Sequence, residues 1–188
     1  CAGFDRGDCV LAVGGGMVGD IAGFAAACYM RGIDFYNVPT TLLAQVDSSI
    51  GGKTAANLCG VKNAVGAFHA PRAVAVDPDL LFTLDERQYR NGLAEAIKTA
   101  ACLDSELFGL LEHGVSTENI DEVIRRCILA KTSIVEADEH ENGLRRVLNF
   151  GHTIGHAAES AAKGALLHGE CVAMGMPPMC ENPECKQR

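Results

Sequence analysis

The 188-residue sequence predicts an α/β protein in which a parallel-sheet first part gives way to an all-helical second part. Three observations carry this. Short apolar runs alternate with a helical pattern up to about residue 82. A glycine triplet stands where the first run turns into the first helix. Beyond residue 84 only helical periodicity is legible.

The elements follow in order. Val10–Val13 is a continuous apolar run and reads as a buried strand, stopped by Gly14-Gly15-Gly16. Met17–Met30, rich in alanine, reads as a helix. Asp34–Val38 is a second strand, ended by Pro39, and Ala73–Val76 a third, before Asp77-Pro78. Asp85 is placed to cap a helix running towards Lys98, and Asp104 one running towards Glu112. Glu118–Ala137 is long and amphipathic, with Ile120, Ile124, Cys127, Ile128, Ile134 and Val135 on one stripe. Gly151–Lys163 reads as a further helix, and Glu170–Met176 as the start of another. The prolines at 177, 178 and 183 forbid helix in the closing stretch. A domain boundary is expected near residue 82 and a proline-rich tail over 177–188.

Composition narrows the function classes. Apolar residues make up 48% of the chain, enough for a packed core and against disorder. The formal net charge of −8 argues against a nucleic-acid or anionic-membrane partner, but not against a small anionic substrate. No stretch reaches the ~18 apolar residues of a membrane helix, and no leader pattern opens the chain. Nine cysteines, an odd number, lie mostly in apolar runs such as those of Cys28, Cys59, Cys102 and Cys127. They read as reduced, buried thiols of a cytoplasmic protein. Cys180 and Cys185 form a C-x4-C pair, a weak metal motif. The chain opens on Cys1 rather than methionine, so it is expected to start inside a longer protein.

Several residues carry chemistry. Gly14, Gly16 and Gly19 satisfy G-x-G-x-x-G between a strand and a helix. That pattern brings backbone N–H groups and a helix dipole to a pyrophosphate, or else serves a tight turn. Gly52-Lys53-Thr54 resembles the end of a phosphate loop, but Asp47 stands where its first glycine belongs. Lys53 is then an anion ligand or a solvated lysine. Glu95, His152, His156 and His168 form a further group. His152 and His156, spaced i, i+4, share a helix face. Two imidazoles and one carboxylate suit a catalytic Zn2+ with an open position, whereas each histidine alone suits a structural hydrogen bond. Glu95 and Lys98 are also spaced for a surface ion pair. Lys131 falls on the apolar stripe, so it either meets a buried anion or snorkels outwards. Arg145 suits a carboxylate, and Asn149 precedes a helix. Together they point to chemistry on a polyanionic small molecule.

Eight segments, GGGMVGDIAGF, YMRG, VPTTLLAQVDSSIGGKTA, GVKNAVGAF, NGLAEAIK, EADE, LNFGHTIGHA and LHGE, resemble successive motifs of 3-dehydroquinate synthases in that family's order. The resemblance extends over residues 10–176. The resemblance implies a dehydroquinate synthase-like fold: a partial Rossmann-like NAD-binding α/β domain over 1–82, a partial helical metal and substrate domain over 83–176, and a divergent tail over 177–188. It implies conversion of 3-deoxy-D-arabino-heptulosonate 7-phosphate to 3-dehydroquinate and phosphate, in the shikimate pathway of aromatic amino acid biosynthesis. NAD and Zn2+ or Co2+ are the implied cofactors, and the complete enzyme is expected to be a cytoplasmic homodimer.

Carried over by motif, Glu95, His152 and His168 would bind the metal. Gly15, Gly16, Met17, Asp20, Thr40, Thr41, Lys62, Leu80, Leu81, Phe82, Thr83 and Asn91 would contact NAD. Asp47, Lys53, Asn63 and Lys98 would contact substrate, and Lys131, Arg145 and Asn149 would hold its carboxylate end. His156 and Glu141 would handle protons, alongside Lys53 and Lys98 at the reacting centre. Arg31 would reach a neighbouring subunit's phosphate site. Related sugar-phosphate cyclases act on substrates without a carboxylate, which Lys98, Lys131, Arg145 and Asn149 together disfavour. The family has a further nucleotide-binding segment before Cys1 and a longer helical domain after Met176. The isolated polypeptide is therefore expected to show weak activity or none.

Overall fold

The computed structural model describes residues 3–180. Strand β1 (Cys9–Gly14) pairs in parallel with β2 (Asp34–Pro39), Val10 opposite Phe35 and Gly14 opposite Pro39. β2 pairs in parallel with the two-residue β5 (Ala73–Val74), giving the order β1-β2-β5. The third strand is shorter than the predicted Ala73–Val76 because the chain turns at Asp77-Pro78. Asp77 accepts the Asp79 N–H there. Helix α1 (Gly16–Cys28) follows β1, and Ala26, Ile33 and Phe35 close a small core with Val10. The helix stops at Cys28 rather than Met30, since Met30 and Arg31 turn the chain at φ +46° and +71°.

An antiparallel hairpin, β3 (Lys53–Leu58) and β4 (Val61–Phe68), has no counterpart in the sequence reading. Cys59 and Gly60 link its strands at φ +50° and +79°, the left-handed pair that a two-residue hairpin turn requires. It packs on α1: Thr54 lies against Gly23, where a larger residue would meet its methyl group.

Six elements later in the chain are helical or turn-like. Asp85 caps α2 (Glu86–Leu103) by accepting the Gln88 N–H at 3.0 Å. Asp104 caps α3 (Ser105–Glu112) at the Glu106 and Leu107 N–H groups, and also binds Arg126 on α4 (Ile120–Ala137) at 2.8 and 2.9 Å. Residues 144–149 form a short tight turn, then come α5 (His152–Ala162) and α6 (His168–Met179). α6 runs through Pro177 and Pro178, which the sequence reading had barred from a helix. Proline's fixed φ is helical, and the bonds lost with its N–H, to the carbonyls four residues back, fall only in the helix's last turn. Pro183 and Cys185 lie outside the described residues.

The main core joins Leu42, Val46 and Leu81 to Ala96, Ala100, Leu107, Ile120, Val123, Ile124 and Cys127. The 40–50 segment is thus wedged among the helices and carries residues of the first part into the second. Cys127 is buried, and burial pushes its thiol up to about 12. Cys28 and Cys59, expected buried, are exposed because one ends α1 and the other sits in the hairpin turn. No disulfide forms among the described residues. Nor is any helix among them long and apolar enough to cross a membrane.

Candidate active site

Glu95 lies on the buried face of α2, fully enclosed, and faces the first residues of α5 and α6. Close approach of these helices depends on glycine. A side chain on Gly169 would strike the Asn91 backbone, and one on Gly175 the Gly151 carbonyl. Asn91 Oδ1 accepts the Gly169 N–H at 2.6 Å, fastening α2 to the start of α6. As a result Glu95 Oε1 stands 3.3 Å from His168 Nε2 and 3.9 Å from His152 Nε2.

Glu95 Oε1 is buried yet has no hydrogen-bond partner among the described residues. An unsatisfied carboxylate oxygen in a dry site is costly. A divalent cation bound there with the two imidazoles would satisfy it. The donor atoms of Glu95, His152 and His168 all lie within 4.8 Å of one another, so they fit Zn2+ or Co2+. His152 Nδ1 lies 3.2 Å from the Phe150 carbonyl, which turns Nε2 inwards. Burial holds the His152 imidazole below its ordinary pKa, in the neutral ligand form. Burial and the Asp47 charge push the Glu95 carboxyl up, but Lys98 and His168 outweigh them and hold it down. A second donor group, His156, Glu159 and His168, adjoins the first.

Beside the triad is a buried charge cluster. The Lys98 ammonium is bound to Glu95 Oε2 and lies 3.7 Å from Asp47 Oδ1. Lys98 and Glu95 are 2% and 0% exposed, so their pair is not the surface ion pair their spacing allows. Lys131 Nζ donates to Asp47 Oδ1 at 2.8 Å and to the Asp47 carbonyl at 2.6 Å. It meets a largely buried anion rather than snorkelling. Burial works against the Asp47 anion, yet Lys131 and Lys98 hold its carboxyl well below the usual range. Burial lowers Lys131 in turn.

A third arrangement surrounds the glycine turn before β3. Gly51 and Gly52 have φ of +100° and +65°, backbone that favours glycine. Lys53, directly after them, is paired with Glu141, and Asn149 Nδ2 donates to Glu141 at 2.8 Å. Glu141 itself has φ +58°, an uncommon state for a non-glycine residue. The Arg145 guanidinium, 2% exposed, donates to the carbonyls of Glu139 and Gly51 at 2.6 and 3.0 Å.

The glycine loop and its neighbours gather where open α/β sheets bind ligands, at the C-terminal ends of the parallel strands. Gly15, Gly16 and Met17 follow β1. Thr40 and Thr41 follow β2, with the Thr40 N–H donating to the Gly14 carbonyl at 2.9 Å. Leu80, Leu81, Phe82 and Thr83 lie in the turn after β5. Met17 and Phe82 are exposed there. Asp20, one turn into α1, is raised to about 6, chiefly by burial. Lys62 is paired with Glu159 on α5, and Asn63 is exposed beside it at φ +51°. Arg31 stands apart: exposed, at the far end of α1, about 20 Å along the helix rise from the glycine loop. Glu159 is the residue that sequence reasoning missed. Its spacing, seven after His152 and three after His156, placed it on their helix face.

The chain is similar to known proteins over nearly all of its length. The family models for the 3-dehydroquinate synthase N-terminal and C-terminal parts match residues 1–91 and 92–184. The 3-dehydroquinate synthase of Geobacter metallireducens is 52% identical over 181 residues, covering 93% of this chain and 50% of the relative. That of Pelobacter propionicus is 50% identical over 182 residues, covering 93% and 51%. The chain thus spans about half the length of the curated relatives it matches. A 2-deoxy-scyllo-inosose synthase solved with carbaglucose-6-phosphate, NAD+ and Co2+ superposes at TM-score 0.87, 38% identical, covering 93% of this chain and 50% of that one. ValA, the 2-epi-5-epi-valiolone synthase of Streptomyces hygroscopicus with NAD+ and Zn2+ bound, superposes at 0.82, 40% identical, covering 89% and 49%.

Proposed function

Because the chain belongs to the 3-dehydroquinate synthase family, we propose that it supplies the metal-binding and substrate-binding core of a cytoplasmic, homodimeric 3-dehydroquinate synthase. The substrate would be 3-deoxy-D-arabino-heptulosonate 7-phosphate and the products 3-dehydroquinate and phosphate. The observation that carries this is Glu95 Oε1, buried with no hydrogen-bond partner among the described residues and facing two imidazoles beside a buried lysine pair.

Residues 1–82 would form part of the nucleotide site and residues 83–176 the metal and substrate site. NAD would lie on Gly15, Gly16, Met17, Asp20, Thr40, Thr41 and the 80–83 turn, with Asn91 and Lys62 beyond. Glu95, His152 and His168 would hold the cation. When bound, these groups supply hydride acceptance and return, and polarisation of the hydroxyl being oxidised.

The chain's own side chains would do the rest. Lys131, Arg145 and Asn149 would orient the substrate carboxylate, Lys131 exchanging its Asp47 contact for it. Lys53, Lys98, Asp47 and Asn63 would fix the ring hydroxyls. His156 would accept a proton near the phosphate. Glu141, held by Lys53 and Asn149, would exchange a proton with a substrate oxygen. Enclosure of Glu95, Lys98 and Lys131 keeps water from the reacting centre and strengthens each charge contact. Arg31 would serve the partner subunit's phosphate site.

Residues 3–180 grafted in place of the matching stretch of the Geobacter metallireducens relative provide the test. The chimera is expected to release phosphate from the heptulosonate, and a chelator to stop it. Turnover of sedoheptulose 7-phosphate alone, which lacks the carboxylate, would assign the chain to another sugar-phosphate cyclase.

A further inference from the structure

Glu159 lies on α5 and is partly buried, with its two oxygens on different partners. Oε2 is 3.3 Å from His168 Nδ1 in hydrogen-bonding geometry, and Oε1 takes the Lys62 ammonium. The other ring nitrogen, His168 Nε2, is also 3.3 Å from a carboxylate oxygen, Glu95 Oε1, yet that oxygen is left without a hydrogen bond. The two faces of one imidazole are therefore unequal.

A carboxylate only accepts, so the hydrogen bond to Glu159 places the ring proton on Nδ1. Lys62 Nζ lies 3.5 Å from the same nitrogen, at the outer limit of a hydrogen bond, and is already committed to Glu159. Nε2 then keeps its lone pair, 3.3 Å from Glu95 Oε1 and out of line for a hydrogen bond to it. A cation placed beside both atoms would take up both lone pairs.

We propose that Glu159 is a positioning residue for the metal site: it fixes the tautomer and rotation of His168, and Lys62 holds it in place. This rests on the reading of Glu95, His152 and His168 as the ligand set. It gives Lys62, expected at NAD, a structural task at the metal as well. An ion held instead by His156, Glu159 and His168 would need the proton moved off Nδ1 and the Lys62 pair broken.

The test measures Zn2+ affinity of the chain against a chromophoric chelator, with the visible spectrum of the Co2+ form and the melting temperature of the metal-free form. Glu159→Ala is expected to weaken Zn2+ binding roughly 10–100-fold and shift the Co2+ bands. Glu159→Gln, whose amide oxygen still accepts from Nδ1, should recover part of both. The metal-free melting temperatures of the two variants should agree, which separates positioning from a general packing role.

Affinity within twofold of the original in Glu159→Ala, with an unchanged Co2+ spectrum, would overturn the proposal while Glu95→Gln still abolishes binding. Loss on His156→Ala and Glu159→Ala but not on Glu95→Gln would overturn it by locating the ion in the outer group. A chain that binds no Zn2+ at all would sink the ligand reading as well.

Discussion

Lys131 Nζ grips Asp47 twice, at the side-chain oxygen and at the backbone carbonyl, across 84 residues of sequence. The contact ties the apolar stripe of α4 to the segment just before the Gly51-Gly52 turn. Removing one member leaves the other buried and less well paired. Lys131→Met is expected to destabilise the fold by about 3 kcal/mol or more. Lys131→Met with Asp47→Asn should cost less than the sum of the single changes. Additive losses in denaturant unfolding would show that the two residues do not depend on each other.

Asp20 gives a pH dependence of defined sign. Its folded pKa, about 6, lies above that of an unfolded aspartate near 4. The folded form therefore holds its proton more tightly, and this group's contribution falls as pH rises from about 4 through 6. Without nucleotide, Asp20→Asn should match the original melting temperature near pH 4 and exceed it at pH 7. A variant less stable at pH 7 would contradict the assignment of the shift to burial.

Gly51 sits at φ +100°, and a side chain there would fall on the Arg145 guanidinium. Gly51→Ala is predicted to cost about 1–3 kcal/mol in backbone strain and to displace Arg145 from its carbonyl partners. In a catalytically complete chimera it should raise KM for the heptulosonate more than it lowers kcat. An unchanged KM would remove Arg145 from the carboxylate site.

Asp104 supplies a control away from the metal. Its carboxylate caps α3 and binds Arg126. Asp104→Ala should lower stability by about 1–2 kcal/mol through the lost cap and leave Zn2+ affinity unchanged. A change in affinity would mean that the core and the metal site are not separable.

The parts legible in the sequence were those with a local rule. Asp85 and Asp104 cap the helices they precede, and the strand before Gly14 turns into α1 as its glycines require, although Leu11 and Val13 of that strand, expected buried, are exposed. Two features were not legible. The β3–β4 hairpin turns on Cys59-Gly60, a weaker dipeptide than Asn-Gly, and its strands carry Ala, Asn and Gly in place of a clean alternation. The enclosure of Lys98, Lys131 and Glu95 depends on residues 40–50 entering between the helices, a long-range placement that periodicity does not encode. The lysine on the apolar stripe announced a buried partner without naming it. The Asp47 contact names it.

Zinc K-edge X-ray absorption on the Zn2+-loaded chain tests the central claim most directly. Glu95, His152 and His168 as ligands predict nitrogen and oxygen neighbours at about 2.0–2.2 Å and no sulfur, with the bound ion lost in Glu95→Gln. A sulfur shell near about 2.3 Å would place the ion on cysteines instead and contradict the assignment of this site.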